Sequence, residues 1–391
     1  MRSFSAQYVF TNTGPRLKRP VIHTLDDGTI TGIEETGGML TEKNNVEFYN
    51  GIIIPGFINC HCHLELSHLH NQIEPGKGLH NFLTELNSKR FRPGKDQLMS
   101  AAEADRSMQG EGIVLCADLC NSSLTFSIKQ KSLIKYINLI EVFGIDHNKA
   151  GQRINEALLL ARESDYYHLP RNITPHSAYS VPLPLLRLIK ENASANKVSS
   201  IHFLESESEL SFLEDHSGPL YDAYLNFLPP GTTPVTVKDH LSAVLEEITG
   251  SGNLILVHNT FIGKKQIRAL RKRENLFYCL CPRSNLQIEK KLPPVELLME
   301  ENCTIVTGTD SLSSNNELSM VSELKTLSSN FPSVKLETLI KWATLNGAAA
   351  LSETSWAGTI EPGKKPGLVL LKNIDLRNLR LLPRSSAVRL I

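Results

Sequence analysis

Two histidines one residue apart, His61 and His63, end an apolar run in Pro55-Gly56-Phe57-Ile58-Asn59-Cys60-His61-Cys62-His63-Leu64-Glu65. On a β-strand, residues i and i+2 point to the same face. Both imidazoles can therefore reach one metal ion if the strand ends at the mouth of a pocket, and a carboxylate, Glu65, follows at once. Taken alone, the pair is equally well read as two surface histidines beside a buried strand. Similar residues recur at the ends of other apolar runs. His176 follows Thr174-Pro175, His202 stands in one run with Glu205 just beyond it, His258 closes Leu256-Val257-His258, and Asp310 closes Gly308-Thr309-Asp310. Three imidazoles and a carboxylate suit one zinc ion, or another divalent transition metal of similar preference such as Fe²⁺. Such an ion lowers the pKa of a bound water from ~16 to about 7, giving hydroxide at neutral pH. The leaving group then needs a proton carrier, and Glu205 and His258 are the available acids and bases.

Bringing these groups together requires a scaffold whose strand ends converge. Apolar runs lie near 57–61, 113–117, 136–142, 173–176, 199–203, 254–258, 277–281 and 304–309, and helical patterns such as 183–191, 241–248, 264–273 and 295–301 fall between them. This alternation predicts an α/β fold, a closed (β/α)₈ barrel of the TIM type over residues 55–354. An open doubly wound sheet is the alternative, weakened because no Gly-x-Gly-x-x-Gly follows an early strand. In a barrel the C-terminal strand ends form one rim, where His61, His63, His176, His202, Glu205, His258 and Asp310 would meet. Residues 1–54 hold short alternating runs and an Asp27-Gly28 hairpin signal, too little to bury a core alone. A last apolar run at 368–371 has no barrel position left and is paired with them. Residues 1–54 and 355–391 are thus expected to form one small β-sandwich-like domain. A helix is expected over 336–351. Two long irregular stretches, 66–95 and 204–235, follow strands and are expected to build a lid or specificity wall on the rim.

Composition narrows the class of partner. Lys+Arg and Asp+Glu each number 41, so the formal net charge is zero, which gives no support to nucleic-acid binding or a polybasic membrane surface. No apolar run approaches bilayer length and no signal peptide is evident, so a cytoplasmic location is the default. The seven cysteines include no Cys-x-x-Cys pair and read as buried thiols of a reducing compartment. His68 and His70, past the first strand, are assigned structural roles, and His80 is a candidate to line the lid.

These residues resemble the amidohydrolase superfamily, and the likeness runs over nearly the whole chain. The first-strand segment resembles that family's first-strand motif. His202-Phe203-Leu204-Glu205-Ser206-Glu207-Ser208-Glu209 is similar to the His-x-x-Glu-(Thr/Ser)-x-x-Glu segment of its deaminase and chlorohydrolase branch. Cys281-Pro282-Arg283-Ser284-Asn285 and Gly308-Thr309-Asp310-Ser311-Leu312-Ser313-Ser314-Asn315 resemble that branch's seventh- and eighth-strand motifs. The resemblance implies a mononuclear site with His61, His63, His202 and Asp310 as ligands. It also implies Glu205 as the acid that protonates a heterocycle, and His258 with Asp310 as the groups that orient and deprotonate water. His176 and Glu65 are assigned to substrate binding, and Arg283 to a ribose or a remote anionic group. His63-Leu64-Glu65 and Leu312-Ser313-Ser314-Asn315 further resemble the aminodeoxyfutalosine deaminases, which convert an adenine-type nucleoside to its hypoxanthine form in menaquinone synthesis.

The expected reaction is hydrolytic deamination of an aminated heterocycle, with a small molecule and water as partners and homodimer formation left open. The alternatives are hydrolysis of another C–N or C–X bond (guanine, a pterin, a cyclic amide, a halide) and a non-catalytic barrel acting as an interaction module. A cytidine-type zinc deaminase is excluded, because Pro-Cys-x-x-Cys is absent.

Overall fold

The computed structural model describes residues 1–39, 45–90, 96–230, 240–247 and 252–391. Eight parallel strands form the centre: Phe57–Cys62, Ile113–Cys120, Lys135–Val142, Arg171–Pro175, Val198–Phe203, Asn253–His258, Leu276–Leu280 and Ile305–Thr307. The first four and the last four pair in order as two parallel arcs. Parallel bridges at Ser177–His202 and Cys62–Asp310 join the arcs on both sides and close the barrel. The open-sheet alternative is thereby set aside.

Strands buried on both faces must be apolar on both. Leu115, Ala117, Leu139, Val257, Cys279 and Val306 belong to the inner cluster, which the plugging helix Leu345–Ala350 completes. Cys116, Tyr136, Ile140, Leu254, Leu256 and Leu280 face outward against the helices. The first strand breaks this alternation. Ile58 and Cys60 lie in the inner cluster and Cys62 in the outer one, because the pairing with the second strand shifts register between Asn59 and Cys62. A bulge of this kind re-aims side chains. Here it turns His61 and His63 inward and Cys62 away.

Three expected elements differ in the structure. The long segments after strands one and five carry helices, Leu79–Lys89, Glu207–Asp215 and Pro219–Phe227, instead of irregular chain. Their short apolar faces bury one another: Leu79, Phe212 and Leu220 pack with Tyr179 and Ile288, flanked by Phe82, Tyr221 and Tyr224. Faces of two or three residues are too short to register as helical periodicity. Residues 91–95 and 231–235 of those segments, and Ile248 of another expected helix, lie outside the described residues. The helix expected over 336–351 divides into Leu336–Trp342 and Leu345–Ala350, with Thr344 at φ −138° and ψ −86° between them.

The chain ends share one mixed seven-stranded sheet, in place of two facing sheets. Leu368–Lys372 pairs antiparallel with Val46–Pro55, which pairs parallel with Arg2–Val9. Ile53, Leu368 and Leu370 face a small core with Phe4 and Ile22, whereas Ile52, Ile54, Val369 and Leu371 join the core of the barrel. The barrel supplies the second layer, so a second sheet is not needed. Asp27-Gly28 makes the expected turn between Val21–Thr24 and Ile30–Glu34, with Gly28 at φ +91°.

Candidate active site

His61, His63, His202, His258 and Asp310 come together at the C-terminal rim. Asn59 fixes the seam at which they meet. Its Oδ1 accepts the N–H groups of His61 and Thr309, and its Nδ2 donates to Thr309 Oγ1 at 2.7 Å. Gly308 lets the eighth strand approach, since a Cβ there would lie 2.8 Å from the His61 backbone nitrogen.

The nitrogen His63 Nε2 lies 3.3 Å from His61 Nε2, and each is 3.6 Å from Asp310 Oδ1. Four ligands held tetrahedrally about an ion at about 2.0–2.1 Å are separated from one another by roughly 3.4 Å. The spacing of these three donors therefore fits a zinc-sized ion, and His202 reaches the same place through a second group, which it forms with His61 and His258. Asp310, His202 and His258 are turned to the centre by what holds their other side. Asp310 Oδ2 accepts from Ser284 Oγ at 2.6 Å and Ser314 Oγ at 2.7 Å, which leaves Oδ1 for the cluster. His202 Nδ1 bonds the His176 carbonyl at 2.8 Å, which leaves Nε2. The Asn285 amide sits 3.1 Å from His258 Nδ1, so His258 Nε2 faces Glu205 Oε1 at 3.6 Å. The backbone is strained at the same places: Leu204, His258 and Asp310 have φ of +48°, +75° and +58°. Non-glycine residues in that region cost free energy and collect at functional sites.

Electrostatics sort the groups into roles. Burial, with the neighbouring His61, lowers the His63 imidazole to about 3. Burial likewise lowers His202, and lowers His176 and His258 well below the usual range. These rings are neutral at pH 7, the form that binds metal. Burial works to raise the Asp310 carboxyl, but the hydrogen bond and charge of His61 outweigh it and hold it well below the ordinary value. Glu205 goes the other way. Burial, then the charges of Asp310 and Glu209, push its carboxyl well above the ordinary value. A carboxyl kept protonated at neutral pH is a proton donor.

Glu205 is carried by a tight turn. Its N–H donates to Glu209 Oε2 at 2.7 Å, and the Ser206 side chain caps the helix Glu207–Asp215 by accepting from the Glu209 N–H at 2.9 Å. Glu209 is itself pushed up to about 7 by burial, against the backbone N–H groups around it.

The remaining sequence candidates are placed unequally. The His176 ring lies 4.7 Å from the His202 ring and its Nδ1 faces Ser180 Oγ at 2.7 Å, so it borders the cluster. Glu65 does not reach it. Its Oε1 pairs with Arg90, and its Oε2 accepts from the N–H groups of Asn121 and Ser122 and from Ser122 Oγ. Those partners occupy the carboxylate that the sequence reserved for substrate. Arg283 is likewise directed elsewhere, to Asn315 Oδ1 at 3.0 Å, Glu317 and Glu323. His68 is structural as expected, buried between the carbonyls of Glu65 and Arg90.

Glu141 is a residue the sequence reading missed. It stands one residue before the end of the third strand, one oxygen accepts from Asn121 Nδ2 at 3.0 Å, and Oε1 lies 3.6 Å from His202 Nδ1 with no hydrogen-bond partner among the described residues. A carboxylate near the end of an apolar run, Tyr136–Val142, was the available signal. Asp118, inside the second strand, is a second omission: its Oδ1 accepts the Leu64 N–H directly behind His63 at 2.8 Å, and it is paired with Lys129, both side chains fully buried.

The model of the amidohydrolase family matches residues 52–387. The chain is 26% identical to an adenosine deaminase of Helicobacter pylori over 336 residues, 82% of this chain and 79% of that one. The crystal structure of Helicobacter pylori aminofutalosine deaminase in complex with methylthio-coformycin superposes with a TM-score of 0.79 at 22% identity, over 95% of this chain and 92% of that one. The atrazine chlorohydrolase of Arthrobacter aurescens complexed with zinc gives 0.73 at 16% identity, over 94% and 86%. At these identities the two structural likenesses are likenesses of fold.

Proposed function

The chain belongs to the amidohydrolase family, and on that premise we propose that it is a metal-dependent hydrolase that deaminates an adenine-type nucleoside. The observation that carries this reading is the buried Glu205 carboxyl set 3.6 Å from His258 Nε2, beside the His61, His63, His202 and Asp310 cluster, where burial raises its pKa well above the ordinary range. The names of the adenosine and aminofutalosine deaminases to which the chain is similar support the adenine ring as substrate.

His61, His63, His202 and Asp310 would hold one zinc-like ion. When bound, such an ion lowers the pKa of water to about 7 and supplies a nucleophile at neutral pH. The protein does the rest. His258 Nε2, with the Asp310 carboxylate beside it, orients the water and takes its proton as oxygen adds to the carbon bearing the amino group. Glu205 gives its proton to the adjacent ring nitrogen, so negative charge does not build on the ring. The tetrahedral carbon then expels the amino group, which leaves as ammonia with a proton returned from the same groups, and the ring gains oxygen in exchange. His176, which borders the cluster, contacts the heterocycle.

The test is ammonia release from the zinc-loaded protein, with adenosine, a 5′-substituted adenosine, guanine, a cyclic amide and a chlorotriazine supplied in parallel. Ammonia from the adenine nucleosides, lost on chelation and restored by zinc, is the expected result. Turnover confined to the cyclic amide or the chlorotriazine would replace deamination by another hydrolysis on the same scaffold.

A further inference from the structure

At the end of the barrel away from the histidine cluster, three chain segments meet around a cavity of about 350 Å³. Its position follows from the chain path. The helix Met320–Asn330 runs back from the eighth strand, so residues 332–336 behind it lie at the N-terminal end of the strands. Arg16 from the small sheet, Lys335 from the barrel and Arg380 from the C-terminal segment all line the cavity, and Leu336 and Leu379 give it apolar surface. It holds one carboxylate, Glu337, which Arg16 Nη1 already binds at 3.0 Å.

Neither the Lys335 ammonium nor the Arg380 guanidinium makes a side-chain hydrogen bond or ion pair among the described residues. The charge of Arg380 is felt by Asp375, but that carboxylate is engaged by the Asn378 amide and by the N–H groups of Arg377 and Asn378. Arg16, Lys335 and Arg380 are all exposed, so solvent screens their charges from one another and leaves them open to a ligand. The adjoining backbone is also unusual: Leu379 sits at φ +50°, a region a branched residue seldom occupies. The cavity thus offers an anion two cations that no carboxylate among the described residues has taken, and its volume is of the size that small-molecule sites have.

We propose that this cavity binds a small organic oxyanion, a phosphate ester or carboxylate with an apolar body, at a site separate from the catalytic rim. Lys335 and the Arg380 fork take the oxyanion, since a guanidinium matches phosphate and carboxylate in a two-pronged geometry. Leu336 and Leu379 take the apolar body. The bound anion thus ties the barrel to the C-terminal segment.

Isothermal titration calorimetry tests this with phenyl phosphate, benzoate and inorganic phosphate on the metal-loaded protein, in wild type, Lys335→Ala and Arg380→Ala. One saturable site per chain is expected for phenyl phosphate or benzoate, tighter than for inorganic phosphate. Its affinity should fall about tenfold or more in each variant, the loss of one charge-assisted contact, while zinc content and ammonia release stay at wild-type levels. The tighter of the two aromatic anions identifies the head group. Binding of equal strength in wild type and both variants, or no saturable binding of any of the three anions, overturns the proposal.

Discussion

Two groups of buried ionisable residues flank the first barrel strand, one at the rim and one outside the wall, and they are built on opposite rules. At the rim, His61, His63, His202 and Asp310 crowd ligand atoms together, the His61 Nδ1 atom has no hydrogen-bond partner among the described residues, and the backbone at His258 and Asp310 is strained. Just outside the barrel wall, Asp118 and Lys129 form a fully buried ion pair that Asn138 Oδ1 and the Leu64 N–H complete, and Glu65 is closed by Arg90, Asn121 and Ser122. Burial pulls the Lys129 ammonium down, but the charge of Asp118 outweighs it. The outer groups satisfy one another. The rim groups do not, and proteins tolerate such arrangements where an ion, a water or a substrate completes them.

The difference can be broken from either side. The largest effect is expected at the rim: Asp310→Asn should take the protein from one bound zinc per chain to none and abolish turnover, read by elemental analysis and ammonia release. On the outer side, Lys129→Met alone strands a buried carboxylate and should cost about 3–5 kcal/mol in denaturant unfolding, whereas replacing Asp118 and Lys129 together by apolar residues should recover much of that loss. The double variant also deprives Leu64 of its acceptor behind His63. Zinc affinity should therefore fall about 10–100-fold, as for other groups that orient metal ligands. A double variant with unchanged zinc affinity would separate the ion pair from the site.

A pH titration of the metal-free protein sharpens the contrast. His63 is depressed to about 3 in the folded state, against an ordinary value near 6.5. Between those values the unfolded chain binds the proton and the folded one does not, so stability falls as pH drops from about 6.5 towards 3. His202, His176 and His258 act in the same direction. Bound zinc should suppress this slope, because the ligands are then held unprotonated. Activity carries the opposite sign on its alkaline side, declining as the raised Glu205 carboxyl ionises. The smallest effect is expected at Glu65→Gln, with about 1.5–3 kcal/mol lost from its charged hydrogen bonds and KM little altered. A raised KM at unchanged stability would return Glu65 to the substrate.

Much of this is legible in the sequence. Barrel strands read from sequence because each is a short apolar run, and strand-end polar residues such as His61, His202, His258 and Asp310 stand out against that background. Glu141 is less plain by the same rule, because it falls one residue short of the end of its run. Asp118 was hidden for a different reason. Its partners, Lys129 and the Leu64 N–H, lie on other elements, and no spacing in the chain announces a tertiary ion pair. The helices over the rim escaped because their apolar faces make sense only against one another. The substrate role assigned to Glu65 depended on an open carboxylate, and only the fold shows Arg90 upon it.

The central claim is that Glu205 is the proton donor of a metal-dependent deamination and does not hold the metal. Glu205→Gln keeps the shape of the side chain and removes the exchangeable proton. Zinc content and turnover of the best adenine nucleoside, measured on the same preparation, decide the matter. The account predicts one zinc per chain with kcat reduced by about 10²–10⁴-fold, the usual contribution of a positioned acid. Full turnover in the zinc-loaded variant would contradict it.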